Sequence, residues 1–135
     1  MRATFITPIL NVSDLKESVA WFEKLGWKRL WEWGEPASFA AVASHECEIF
    51  LCLNGQGGRG KGSNTSTFGK GGSESEDQGC WLSLWVEDFD ESYQRCVDAK
   101  IEIMHHPEAM PWGVREFHLR HPDGHIFRVS EALEE

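Results

Sequence analysis

Basic residues are scarce in this chain of 135: 13 Lys and Arg stand against 22 Asp and Glu, a formal charge of -9. That deficit speaks against a nucleic-acid binder, whose affinity comes mainly from cationic side chains on phosphates. A cationic or neutral partner suits it better. No stretch approaches the ~20 consecutive apolar residues of a membrane span, so no membrane partner is expected. The opening MRATFITPIL lacks the apolar core and small-residue cleavage site of a secretory signal. Cys47, Cys52, Cys80 and Cys96 contain no C-x-x-C spacing, which leaves neither a zinc ribbon nor a disulfide framework to read. Cys52 and Cys96 fall at apolar positions and are expected to be buried, and a reducing cytoplasm is the expected compartment. Tyrosine occurs once, beside seven Trp and eight Phe. Small cores seldom need so many indoles, because each buried N–H wants a partner; some of these rings are therefore expected to line a cavity or an interface. At 41% hydrophobic and 26% charged, the chain is long enough to bury one core without disulfides.

The sequence repeats itself. Leu10-Asn11-Val12-Ser13-Asp14-Leu15-Lys16-Glu17-Ser18 returns 74 residues later as Leu84-Trp85-Val86-Glu87-Asp88-Phe89-Asp90-Glu91-Ser92. In each copy an extended stretch meets an Asp suited to cap a helix, with a Glu three residues on to complete a capping box. Leu15, Val19, Phe22 and Leu25 then recur at helical spacing, as do Phe89, Tyr93, Cys96 and Val97. Gly26 and Ala99-Lys100 end the two helices. Strands are predicted over Lys28–Trp33, Ser38–Ala43 and Glu48–Leu53 in the first half. In the second they fall at Ile101–Met104, Arg115–Arg120 and Ile126–Ser130, the last two joined by a Pro122-Asp123-Gly124 turn. Each half, 1–53 and 80–135, reads strand, helix, three strands. Residues 54–79 hold nine of the 13 glycines and read as a flexible connection. Gly55 to Gly62 nearly matches a phosphate loop, but Gly62 stands where a hydroxyl is needed and no helix pattern follows.

Two tandem modules carrying Pro8-Ile9-Leu10-Asn11-Val12-Ser13-Asp14-Leu15, Pro111-Trp112-Gly113-Val114-Arg115-Glu116-Phe117 and Pro122-Asp123-Gly124-His125 resemble the vicinal oxygen chelate superfamily. It includes glyoxalase I, extradiol dioxygenases, fosfomycin-resistance thiol transferases and bleomycin-resistance proteins, and the Pro-Trp-Gly-x-Arg-Glu-Phe run looks closest to the last. The resemblance implies an α+β fold: tandem βαβββ modules forming a pair of curved mixed-sheet half-barrels, with helices outside. It also places the ligands of metal-dependent members at Thr7, Trp81 and Arg128. A hydroxyl, an indole and a guanidinium cannot form a first shell for a divalent ion, so no metal or other cofactor is expected. The histidines offer no ligand pair at i,i+4 on one element. His121 and His125 flank a turn and are expected at the surface, His105 and His106 close a strand, and a simple hairpin register sets His118 on the face opposite Arg115, Phe117 and Arg128.

Without metal, the expected binding residues are Trp81, Trp85, Trp112, Arg115, Phe117 and Arg128. Trp81 and Trp85 share a face by strand alternation, and the resemblance sets Trp112 beside the ligand. Flat indoles hold planar heterocycles by stacking and cations through the ring quadrupole. The reading is a binding protein that sequesters a hydrophobic, cationic aromatic molecule. Arg115 and Arg128 complicate it, by admitting an anionic ligand or by pairing internally with Glu48 or Glu116. The resemblance further implies a homodimer, with exchange of the first strand hinged at Pro8. The rival is a metal-dependent lyase or thiol transferase drawing ligands from His45, His118 or His125; a third reading makes the Trp surface a subunit interface alone.

Overall fold

The computed structural model describes residues 1–53 and 79–133. The connection expected over 54–79, with its near-match to a phosphate loop, lies outside the described residues except for Gly79. The chain falls into two compact units, each built on the strand–helix–three-strand plan and each described by itself.

In the first unit the elements are β1 (Ile9–Val12), α1 (Leu15–Lys24), β2 (Lys28–Trp33), β3 (Phe39–Ser44) and β4 (Cys47–Leu53). The sheet order is β1-β4-β3-β2. β1 runs parallel to β4 and the other pairs are antiparallel, so α1 crosses between two strands of the same direction, β1 and β2. Asp14 caps α1: its carboxylate accepts from the Glu17 N–H at 2.9 Å. Leu15, Val19 and Phe22 of the helix are buried together with Leu10, Val42 and Leu51 of the strands, so the apolar stripe and one sheet face make the core.

The second unit repeats the plan with β5 (Trp81–Trp85), α2 (Phe89–Asp98), β6 (Glu102–Met110), β7 (Val114–Arg120) and β8 (Ile126–Ala132), in sheet order β5-β8-β7-β6. The repeat extends to the helix ends. Gly26 has φ 92° and the Trp27 N–H reaches back to the Phe22 carbonyl at 3.1 Å; 74 positions on, Lys100 has φ 60° and the Ile101 N–H reaches Cys96 at 3.0 Å. Both are left-handed stops closed by a six-to-one hydrogen bond, and the apolar residue after each, Trp27 and Ile101, is buried. The α+β architecture of tandem βαβββ modules is the one the sequence predicts.

Three local expectations differ. The strand from Ile101 does not stop at Met104 but runs to Met110, straight through Pro107. It can do so because β6 is an edge strand whose register shifts between His105 and Glu108, the setting in which a sheet tolerates proline. Asp88 occupies the cap position of α2 without a side-chain cap bond; its carboxylate accepts instead from the Ser92 hydroxyl at 3.0 Å. Val97 is 42% exposed; the residues that α2 buries are Phe89 and Cys96.

Candidate functional site

Strand alternation gives the second sheet two faces. Leu82, Phe117, Leu119, Phe127 and Val129 point to the side of α2, where Phe89 meets Phe117 edge-on at 5.1 Å and Tyr93 meets it at 5.2 Å. The opposite side carries the rows Trp81–Ile126–Arg120, Ser83–Arg128–His118 and Trp85–Ser130–Glu116. No helix among the described residues of this unit covers it. Trp81 and Trp85 are 62% and 58% exposed there, and Trp112, at the β6–β7 turn just beyond the Trp85 row, is 62% exposed.

The six residues expected to bind ligand therefore divide. Trp81, Trp85 and Arg128 share the open face, with Trp112 at its end. Phe117 does not line it: it is fully buried beneath α2. Arg115 also lies on the helix side. Its guanidinium donates to Glu131 at 2.6 Å and to Asp90 at 3.1 Å and sits 4.3 Å over the Phe89 ring, so its charge is satisfied within the unit. The register expected for His118 is corrected as well. His118 pairs directly with Arg128, because the loop from His121 to His125 has five residues, and an odd count turns the returning strand over relative to an even one. His118 thus faces the same side as Arg128 and opposite to Arg115 and Phe117.

Around His118 the structure brings together Trp81 and Arg128, expected at the ligand, Glu116, expected to pair with an Arg, and His105, expected only to close a strand. The Trp81 ring stands edge-on to the His118 ring at 5.5 Å, and the His105 ring lies 4.9 Å away on the neighbouring strand. His118 Nε2 is 3.2 Å from Glu116 Oε1. Arg128 Nε is 3.6 Å from Glu116 Oε2, too long for a hydrogen bond. Glu116 is 2% exposed, and a buried carboxylate with one oxygen lacking a donor is costly. His105 Nε2 lies 2.9 Å from Glu108 Oε1 but off the line a hydrogen bond needs. In the sequence Glu116 stood out as a candidate internal partner for Arg115 or Arg128.

The other histidines serve the fold. His121 and His125 are fully buried rather than at the surface, because the turn folds back on the start of β5. His125 Nδ1 accepts from the Cys80 N–H, and His121 Nδ1 from the Asp123 N–H, each at 3.0 Å. Burial, with the neighbouring His125 second and Arg120 a smaller contributor, lowers the His121 pKa to about 3 against the pull of Asp123. His45 sits in the β3–β4 turn at φ 53°, away from both sheet faces. Cys52 and Cys96 are buried as expected. Burial raises the Cys96 thiol to about 11, which keeps it from acting as a nucleophile.

The face of the first sheet opposite α1 carries an aromatic cluster. Trp31 stacks on Phe39 with centroids 5.8 Å apart and planes 6° from parallel, and Phe50 completes the trio. Trp21 and Trp27 are buried, whereas Trp31 and Trp33 on edge strand β2 are exposed.

Comparison with known proteins agrees with this architecture. The family model of the Glyoxalase/Bleomycin resistance protein/Dioxygenase superfamily matches residues 4–129. The chain belongs to that superfamily. No curated protein matches its sequence. Among solved structures it is similar to the bleomycin resistance determinant encoded on the transposon Tn5, at 18% identity over 96% of this chain and 98% of that one, with a TM-score of 0.71. It is similar to a bleomycin-binding protein complexed with bleomycin, at 19% identity over 98% and 100% of the two chains, TM-score 0.69. A protein of unknown function from Agrobacterium tumefaciens str. C58 shares 26% identity over 98% and 97%, TM-score 0.69. The metal that some superfamily members hold does not fit the side chains at the corresponding positions. Thr7 precedes β1, Trp81 presents an indole to His118, and Arg128 directs a cation at Glu116. Among the described residues no group of three His, Cys, Asp or Glu is placed to hold an ion.

Proposed function

We propose that this superfamily member is a metal-independent binding protein of the bleomycin-resistance type, which sequesters a hydrophobic, cationic aromatic molecule without a covalent step. The observation that carries the reading is the row of solvent-facing indoles: Trp81, Trp85 and Trp112, each more than half exposed on one unit. Exposed tryptophan is expensive to leave in water, about 1.5–3 kcal/mol for a large apolar side chain, and flat rings on a rigid strand are pre-organised to stack on a planar ligand. The acidic balance of the chain favours a cation. The bleomycin-binding protein among the structural neighbours was solved with its ligand, which supports this class of function over a lyase or thiol transferase. An enzyme of the latter kinds would need three metal ligands, and His45, His118 and His125 serve a turn, a carboxylate and a backbone amide. The protein acts in this reading as a cytoplasmic homodimer.

The test is a titration of Trp fluorescence with bleomycin and with planar cationic heterocycles, repeated on Trp81→Ala and Trp85→Ala. Saturable quenching that weakens at least tenfold in either variant is expected. Absence of saturable quenching by every compound would overturn the reading, and size-exclusion chromatography of the unliganded protein checks the dimer.

A further inference from the structure

We propose that Glu116 is the specificity residue of the Trp81–Trp85 face, taking the N–H of a cationic nitrogen on an aromatic ligand, and that Arg128 is the group this nitrogen displaces. The inference rests on the binding function proposed above and adds the chemistry of its recognition.

Among the described residues, two buried side-chain polar atoms have no hydrogen-bond partner, Glu116 Oε2 and His105 Nε2. Both belong to the cluster around His118. Native proteins leave few such atoms, and this pair stands on the open face of the sheet rather than in the core beneath α2. Glu116 Oε1 is occupied by His118. Its Oε2 has a guanidinium nearby at 3.6 Å and still no donor. A charge-assisted N–H bond from a ligand would supply what Arg128 does not.

The position suits an aromatic ligand. Trp85 and Glu116 lie in one row with only Ser130 between them, which sets their backbones about 10 Å apart at the usual strand spacing. A planar ring system stacked on Trp85 can extend across Ser130 toward Glu116 and present an N–H from its edge to the carboxylate. The charges on the face point the same way. Glu102, Glu108 and Glu116 face it against Arg120 and Arg128, which pair with Glu102 and Glu116. Counted as carboxylates against guanidiniums, this leaves one acidic group in excess, and an anion would have to approach past it. Arg128 is itself 42% exposed along its side chain and free to swing into solvent when a ligand cation takes its place.

Calorimetric titration with 9-aminoacridine, a planar cation bearing N–H donors at neutral pH, and with acridine, its uncharged parent, separates the two contributions. Wild type is expected to bind 9-aminoacridine at least tenfold more tightly. Glu116→Gln, which keeps the shape and removes the charge, is expected to abolish that preference while changing acridine affinity less than twofold. Arg128→Met is expected to tighten 9-aminoacridine at least threefold by removing the competing cation, and it serves independently if Glu116→Gln fails to fold. Equal binding of the two probes by wild type, a preference that survives in Glu116→Gln, or weaker 9-aminoacridine binding by Arg128→Met would each overturn the assignment of Glu116 while leaving the stacking function standing. Binding of neither probe would remove the binding function and this inference together.

Discussion

Phe117 and Trp81 illustrate how two aromatic residues of one sheet come to do different work. Phe117 touches Phe89 and Tyr93 and sees no solvent, so Phe117→Ala empties a buried volume and is expected to cost about 3–5 kcal/mol of stability. Trp81 meets the His118 ring edge-on and is mostly in water; Trp81→Ala is expected to change stability by less than about 1 kcal/mol and to weaken binding of the proposed ligand. Urea denaturation of both variants, set beside the fluorescence titration, checks the division. A loss of binding in a fully folded Phe117→Ala protein would place that ring back at the ligand. The Pro-Trp-Gly-x-Arg-Glu-Phe run names the residues of this strand but not their sides. Phe117 alternates with Leu119 on one side of the strand, a pattern that marks a common face without saying whether the core or a ligand lies against it. Glu116 was legible as an internal partner for Arg115 or Arg128, and the structure sets it 3.6 Å from Arg128. What made it distinctive, an oxygen without a donor, exists only after β6, β8 and the His121–His125 loop have set their registers.

At the level of the element, most of the fold was readable because the second half repeats the first. Asp14 and Gly26 punctuate α1 by well-understood local chemistry, and strand ends fall within a residue or two of their predicted positions, except β6. That exception is physical: proline ordinarily breaks a strand, and only edge placement with a register shift, neither visible locally, lets β6 continue. The repeat also exposes an imperfection. Lys100 does the work of Gly26 at φ 60°, where a side chain costs roughly 1–2 kcal/mol over glycine in the left-handed region. Lys100 is exposed, so Lys100→Gly sacrifices no packing. Part of the relief is returned as the greater chain entropy of unfolded glycine. The net expectation is a gain of about 0.5–1 kcal/mol, against a loss of about 1 kcal/mol for Gly26→Ala. Chemical denaturation of the two variants decides it, and a Lys100→Gly protein less stable than wild type would show that the Lys side chain makes a contribution outweighing its backbone strain.

Over the whole molecule, charge and protonation set the working conditions. With a formal charge of -9, a cationic ligand of the kind proposed would be steered from a distance, and its association is expected to slow several-fold between 20 and 200 mM salt, as the screening length shrinks from roughly 20 Å to under 10 Å. Stopped-flow quenching at the two ionic strengths measures it; a neutral ligand is expected to show no such change. Stability responds to pH through a different group. His121 is buried with its Nδ1 held as an acceptor for the Asp123 amide, and its pKa lies at about 3 in the folded chain against about 6.5 unfolded. Between those values the unfolded chain binds a proton that the folded chain refuses. The contribution is therefore complete above about pH 6.5 and is withdrawn as pH falls toward 3, at about 1 kcal/mol per pH unit through the middle of the window. His121→Asn keeps an acceptor near the Nδ1 position and removes the titration. Comparing urea midpoints at pH 6 and pH 5 isolates the effect from the carboxylates common to both proteins. Wild type is expected to lose about 1 kcal/mol more than His121→Asn over that interval, and equal losses would mean that His121 takes up its proton in the folded state, with the turn opening to admit it.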